Sequence, residues 1–306
     1  MSKVTVFGSF VVDLMGRTPH LPVPGETVKG SMFKMGPGGK GFNQGVAAHK
    51  AGADVTMVTK LGRDTFAGVA LSAMDELNMK KDKILFTDDV ETGAALIMVD
   101  ENTSQNEIVV ILGSCNTITD EEVESIADEL KESEYLLTQL ETNPSAVKKV
   151  TALAKELGVK VILNTAPVQP VEDEIYEGLY LVTPNEVEAE ILTGIVIDSK
   201  ENADKAADWF FAKGVKNVLI TLGGRGVYIA TPEKREIISA YRVEAIDTTG
   251  AGDAFNGGLV AGLAEGKDIW ESAKFANALA ALSVQRLGTT PAMPWREEID
   301  QFLKEH

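Results

Sequence analysis

The 306-residue chain predicts an α/β fold, with a mainly parallel central sheet, helices on both faces and a small β-sheet lid outside it. Three observations lead there. From residue 119 onward, strand-like runs alternate with apolar-periodic stretches of about 10–15 residues, the pattern of parallel strands joined by helices. Two earlier segments, about 17–35 and 92–112, alternate polar with apolar residues and stand apart from that rhythm. No internal repeat or low-complexity linker divides the chain, so residues 1–306 read as one domain carrying those lid strands.

Taken in order, Lys3 to Gly8 is a short buried strand ending in a Gly8-Ser9 turn. Arg17 to Met35 carries several prolines and the alternating run Glu26 to Phe33, which reads as irregular chain plus a β-ribbon. A glycine-rich turn, Gly36 to Gln44, precedes a helical run at 45–51, then a strand at 55–60 and a helix at 66–77. Thr92 to Val99 and Glu107 to Leu112 form a hairpin about the polar turn Asp100 to Ser104, paired with the earlier ribbon. Helices are expected at 119–131, 144–157, 185–193, 201–213, 252–265, 268–285 and 295–304. Strands are expected at 135–140, 159–163, 179–183 and 216–221, with a β-segment at 226–240 and a strand-like run at 240–246.

Hydrophobic content of 44% and charged content of 25% are ordinary for a soluble globular protein. The net charge of −17 argues against nucleic acid or an anionic membrane as partner, since both need a basic face. Any polyanionic substrate must then be held by local N–H groups, lysine and bound cations. The single Cys115 excludes an intrachain disulfide and suggests a reducing compartment. Three scattered histidines offer no zinc constellation. Met1-Ser2-Lys3 runs directly into a strand, and no apolar run reaches the ~20 residues of a membrane span, so the expected location is the cytoplasm.

The most informative stretch is Asp247-Thr248-Thr249-Gly250-Ala251-Gly252-Asp253. Its glycines leave the backbone N–H groups of Gly250, Ala251 and Gly252 free to converge at a helix N-terminus, a spot suited to phosphate or a developing anion. A carboxylate beside such a hole repels phosphate, yet is well placed to take a proton from a hydroxyl that attacks phosphate; Asp253 is therefore a candidate base. The plainer reading is an acid complementing the helix dipole.

Other segments carry weaker signals. Gly36 to Gly41 matches G-x-G-x-x-G but lies far beyond the first strand, so a dinucleotide site is poorly supported, and Lys40-Gly41 fails the Walker A pattern. The segment suits close backbone approach to a polar ligand, with Asn43 offering donor and acceptor to hydroxyls. Glu141 follows an apolar strand, where ligand contacts belong. Asn185 and Glu188 are either a helix cap or a pair organising Mg²⁺-bound water. Thr221 to Gly226 is a glycine turn that suits a nucleotide base or ribose, or a plain hairpin. Asp247 on spacing alone is a turn former.

In this order the motifs Gly38 to Gln44 and Asp247 to Asp253 resemble the two signatures of the ribokinase-like carbohydrate kinase family. Gln139-Leu140-Glu141, Thr183 to Glu190 and Thr221-Leu222-Gly223 fall between them at the expected intervals, and Pro294 to Asp300 is similar to the ribokinase branch. The resemblance implies an ATP-dependent kinase acting on the 5-hydroxyl of D-ribose, with Asp253 as base and Gly250, Ala251 and Gly252 as anion hole. It implies sugar contacts at Asp13, Gly39, Lys40, Gly41, Asn43 and Glu141. ATP-side positions are Asn185, Thr221, Gly223, Gly224, Gly226, Gly252 and Asn277, with Glu188 linked to Mg²⁺. K⁺ would be held by Asp247 and Thr249 with Ser283, Arg286, Gly288 and Ala292. The lid would be the contact of a homodimer. One departure is Val11, where the family usually carries a polar Asn. 2-Deoxyribose, fructose or a nucleoside remain alternative acceptors. A non-catalytic sugar or nucleotide sensor and an NAD-dependent oxidoreductase are the alternatives of another class.

Overall fold

The computed structural model describes residues 2–103 and 105–306; Met1 and Ser104, the last residue of the turn expected at Asp100 to Ser104, lie outside that range. The elements run β1 (Lys3–Phe7), β2 (Val11–Thr18), β3 (Met32–Gly38), α1 (Lys40–Lys50), β4 (Asp54–Gly62), α2 (Thr65–Glu76), β5 (Ile84–Thr87), β6 (Thr92–Asp100), β7 (Asn106–Gly113), α3 (Asp120–Glu124), α4 (Ala127–Glu132) and β8 (Ser133–Gln139). They continue α5 (Pro144–Glu156), β9 (Lys160–Asn164), β10 (Leu181–Val182), α6 (Glu186–Thr193), α7 (Lys200–Ala212), β11 (Val218–Thr221), β12 (Val227–Ala230), β13 (Arg235–Ile238), α8 (Ala251–Ala264), α9 (Ile269–Ser283) and α10 (Arg296–Glu305).

β1 is buried from Val4 to Phe7, as a strand covered on both faces must be. It pairs in parallel with β4 on one side and β8 on the other, within the order β13-β12-β11-β10-β9-β8-β1-β4-β5. The chain leaves β1 toward one edge and returns on its other side, so a crevice opens at the carboxyl ends of β1 and β8. Successive side chains face opposite layers. Val4, Val6 and Leu137 pack with Phe42 of α1, Leu259 of α8 and Leu279 of α9, whereas Phe7, Leu136 and Val161 pack with Val150 of α5 and Phe210 of α7. One helix contact matters for function. A Cβ at Gly257 would lie 2.6 Å from the Gln44 carbonyl oxygen and 2.8 Å from the Ala48 nitrogen, so only glycine lets α8 press this closely on α1.

The lid is a second sheet, ordered β3-β2-β6-β7, in which β2 pairs β3 antiparallel and β6 parallel. It differs from expectation at its first strand, since β2 begins at Val11 and residues 19–31 hold no strand. The β2–β6 ladder joins segments some eighty residues apart, and local alternation carries no trace of such pairing. Helix α1 starts at Lys40, before the expected 45, because Gly39 (φ 89°) turns the chain directly from β3 into the helix. The run 119–131 breaks into α3 and α4 at Ile126. Residues 240–246 form no strand, and β5 went unanticipated. Among the described residues, no helix is long and apolar enough to cross a membrane.

Candidate active site

Close packing of α8 on α1 brings Asp253, on the first turn of α8, against two amides of α1. Asn43 Nδ2 donates to Asp253 Oδ2 and Gln44 Nε2 to Oδ1, each at 3.0 Å. Asp253 is 7% exposed. Burial raises its pKa, and the Lys40 ammonium and the two amide donors pull against that without cancelling it. Burial also works on Lys40, in the opposite sense. There the carboxylates of Asp253, Glu141 and Glu188 outweigh it and hold the ammonium above its ordinary value. Asp13 is pushed up to about 6, chiefly by burial and then by Glu141 and Asp253. Three carboxylates thus surround one lysine, and the most buried of them, Asp253, is held above the ordinary carboxylate range.

The turn before Asp253 has Gly250 at φ 76°, a left-handed conformation suited to glycine. Ala254 N donates to Gly250 O at 2.8 Å, closing the helix start. Ala251 N donates to Thr248 O at 3.2 Å, so this N–H is partly committed to the turn, while Gly250 and Gly252 present theirs without a backbone acceptor. A Cβ at Gly252 would meet nothing within 4 Å, so glycine here keeps the approach to the turn open and serves no packing need.

On one side of Asp253 lie Asp13, Gly39, Lys40, Gly41, Asn43 and Glu141. Glu141 Oε2 accepts from Ser9 Oγ at 2.6 Å and from Lys40 N at 2.7 Å, tying the Gly8-Ser9 turn to the start of α1. The backbones meet closely: a Cβ at Gly41 would sit 2.5 Å from Ser9 N, and one at Gly39 2.9 Å from Phe10 Cα. Asn43 does not offer its whole amide to a ligand, because its Oδ1 accepts from Thr290 Oγ1 at 3.0 Å. Asp13 and Val11 are two apart on β2 and share a strand face.

On the other side, Asn185, Thr221, Gly223, Gly224, Gly226, Gly252 and Asn277 line one cavity of about 470 Å³, together with Ala251 and Thr248. Asn185 caps α6 and forms a reciprocal box with Glu188, whose N–H donates to Asn185 Oδ1 at 2.8 Å. Glu188 Oε2 also accepts from Asn185 N and Thr165 Oγ1, and Oε1 from Asn185 Nδ2. The cap reading therefore holds, and of the roughly four lone-pair directions of this carboxylate one remains.

Asp247 bonds its own turn, Oδ1 accepting from Thr249 N, and reaches across to the C-terminal segment, Oδ2 accepting from Gly288 N, both at 2.9 Å. Despite burial, these donors hold its carboxyl below the ordinary value. Val284 O accepts from the Ile246 and Asp247 nitrogens, fastening the same two segments. Ser283, Arg286 and Ala292 lie along that second segment; the Arg286 side chain is paired with Glu298.

Sequence reasoning passed over the layer beneath the carboxylate. Gln44, Gln139, Asn164, Thr183 and Asn256 are all buried polar residues at the carboxyl ends of strands or on the second turns of α1 and α8. The available signal was a polar residue closing each apolar strand, as in Leu137-Thr138-Gln139, Ile162-Leu163-Asn164 and Leu181-Val182-Thr183.

Comparison with known proteins places the whole chain. Residues 1–296 match the family described as "pfkB family carbohydrate kinase". The chain is 39% identical to the ribokinase of Haemophilus influenzae over 98% of each chain, and 34% identical to the deoxyribokinase of Salmonella typhi over 98% of each. Among solved structures, ribokinase from Thermotoga maritima superposes with a TM-score of 0.90 at 35% identity, covering 99% of this chain and 100% of that one. Arabidopsis thaliana ribokinase, complexed with ribose and ATP, gives 0.92 at 29% identity over 99% of each chain. The fold, the two glycine turns and the full-length match converge: the chain belongs to the PfkB family of carbohydrate kinases.

Proposed function

We propose that the protein transfers the γ-phosphoryl group of ATP to the 5-hydroxyl of D-ribose, giving ribose 5-phosphate and ADP. One observation carries this reading: the buried Asp253 carboxylate sits at the junction of a polar pocket and a glycine-lined cavity, one residue after a turn with free N–H groups. Ribose fits the pocket of Asp13, Gly39, Lys40, Gly41, Asn43 and Glu141. ATP fits the cavity of Asn185, Thr221, Gly223, Gly224, Gly226 and Asn277. As ribose O5 bonds to the γ-phosphorus, its proton passes to Asp253 and the bond to the β-phosphate oxygen breaks, releasing ADP. N–H groups at Gly250 and Gly252, with Ala251 in a lesser part, stabilise charge on the transferring group. The Lys40 ammonium favours the ionised form of Asp253, against the effect of its burial.

Mg²⁺ accompanying ATP would neutralise phosphate charge, and the one free lone pair of Glu188 fits an ordered water of that ion better than direct ligation. For K⁺ the donor set is all oxygen, the Asp247 carboxylate with main-chain carbonyls of Thr249, Ser283, Arg286 and Gly288 and with Ala292 nearby, which suits a hard monovalent ion. Bound there, it would add positive field behind the anion turn. The lid presents exposed Phe33, Ile108, Val109 and Ile111 on its sheet, a surface suited to a second copy in a homodimer. A cytoplasmic enzyme is consistent with the single buried Cys115.

A second acceptor, 2-deoxyribose, is favoured by Val11. This side chain shares the Asp13 face of β2 and offers no hydrogen bond to a hydroxyl. Coupled measurement of ADP release across ribose, 2-deoxyribose, fructose and nucleosides tests both. The highest kcat/KM is expected for ribose, with 2-deoxyribose next; turnover confined to nucleosides or hexoses overturns the assignment.

A further inference from the structure

We infer that Gln44 is a positioning residue for the reaction: a fully buried amide that fixes the Asp253 carboxylate by one hydrogen bond and is itself locked by the ends of two strands. This rests on Asp253 being the base. Gln44 is 0% exposed, and every polar atom it has is engaged. Its Nε2 donates to Asp253 Oδ1 and to Asn164 Oδ1 of β9, each at 3.0 Å. Its Oε1 accepts from Gln139 Nε2 of β8 at 2.7 Å. Flipping the amide would set Oε1 against a carboxylate and two donors against each other, so the surroundings allow one orientation.

The network continues to the anion turn. Asn164 Nδ2 donates to Thr183 O at 2.8 Å, Thr183 Oγ1 to Asn256 Oδ1 at 2.6 Å, and Asn256 Nδ2 to Gly252 O at 2.9 Å. A chain of neutral groups thus links the base to the peptide that faces the phosphate, and both are referred to the same strand ends. Neutral amides suit this place. A lysine would lower the basicity of Asp253, and a hydroxyl could surrender a proton. One amide bond to each oxygen holds the carboxylate plane while leaving further lone pairs for the incoming hydroxyl. Gly8 is part of the construction, because a Cβ there would overlap Gln139 Oε1.

Charged groups facing Asp253 are Lys40 from α1, Glu141 from the end of β8, Asp13 from β2 and, acting through Lys40, Glu188 from α6. None is altered by replacing Gln44, so changes in the base's titration report the lost donor. In Gln44→Leu, of similar volume, kcat should fall roughly 10- to 100-fold, the scale of one hydrogen bond to a charged group, with sugar KM within about threefold. The acidic limb of the kcat profile should move to higher pH, because the ionised base has lost a donor. Gln44→Glu, nearly isosteric, covers the case in which Gln44→Leu does not fold. It replaces both N–H donors, to Asp253 and to Asn164, with a carboxylate oxygen, so the limb should move further in the same direction. Thermal unfolding confirms that each variant is folded. Wild-type kcat in a folded variant, a fall in kcat with an unmoved acidic limb, or a KM rising in step with the loss overturns the inference. Near-normal turnover of Asp253→Asn would instead overturn the base assignment, and leaves a different signature from any Gln44 result.

Discussion

On the side of Asp253 proposed for the sugar, buried polar side chains predominate; on the side proposed for the nucleotide, glycine backbone takes a larger share of the wall. Asn43 and Gln44 are buried and bonded to Asp253, and Ser9 is bonded to Glu141, before any ligand arrives, so that pocket is organised in advance. Across the Gly250–Gly252 turn, the cavity walls are Gly223, Gly224, Gly226 and Gly252 with apolar Val243, Ala280 and Val284, beside the polar Asn185, Thr221, Thr248 and Asn277. The contrast follows from the chemistry. A sugar is distinguished by hydroxyl positions, which demand fixed donors and acceptors. A nucleotide needs a surface against which a flat base and a charged chain can lie, and bare backbone supplies it.

The sharpest test of this contrast is Asp253→Asn. It should lower kcat by roughly 10²–10⁴, the scale of a lost general base, while calorimetry finds sugar binding little changed. A comparable loss of sugar affinity would mean that the carboxylate organises the pocket more than it takes a proton. Next in size is Gly252→Val. Nothing lies within 4 Å of the added Cβ, so the fold should stand while KM for ATP rises by roughly tenfold or more, the cost of about 1–3 kcal/mol of blocked approach. An unchanged KM would show that ATP does not pass over this turn.

A smaller, several-fold effect is expected from the cation. At fixed ionic strength KCl should support faster turnover than NaCl, and Asp247→Ala should abolish the difference. Equal rates in both salts with the wild type would reduce Asp247 to its observed role of fastening Thr249 and Gly288. The smallest effect concerns pH. Because Asp13 is raised from 3.8 to about 6, the folded protein binds that proton more tightly than the unfolded chain does. Its contribution to stability is therefore full below about pH 4 and lost as pH rises to about 6. Asp13→Asn should flatten this part of the curve of Tm against pH for the unliganded protein. Sugar affinity in the wild type should rise over the same interval, as the carboxylate becomes an acceptor. Identical Tm profiles for the two proteins would show that Asp13 is not the group responsible.

Much of the site was legible because its chemistry is local. A left-handed glycine, an unhindered glycine and an acid within four residues are what the proposed anion turn and base consist of, and the helix start follows from the same letters. The Asn185–Glu188 box is equally short-range. The lid's first strand was read too late, since β2 is held by β6 and by the turn at Gly39, neither of which leaves a periodic mark in residues 11–18.

What the sequence determined by itself was the alternation that makes a parallel sheet, the two glycine turns and the identity of the acid at the head of α8, because hydrophobic period, capping and glycine conformation act over a few residues. Only the tertiary structure decided which donors hold that acid. Asn43 and Gln44 lie 210 and 209 residues before Asp253, and they meet it because Gly257 lets α8 settle onto α1. The hydrogen bonds that orient the carboxylate arise from that packing distance, which no local pattern encodes.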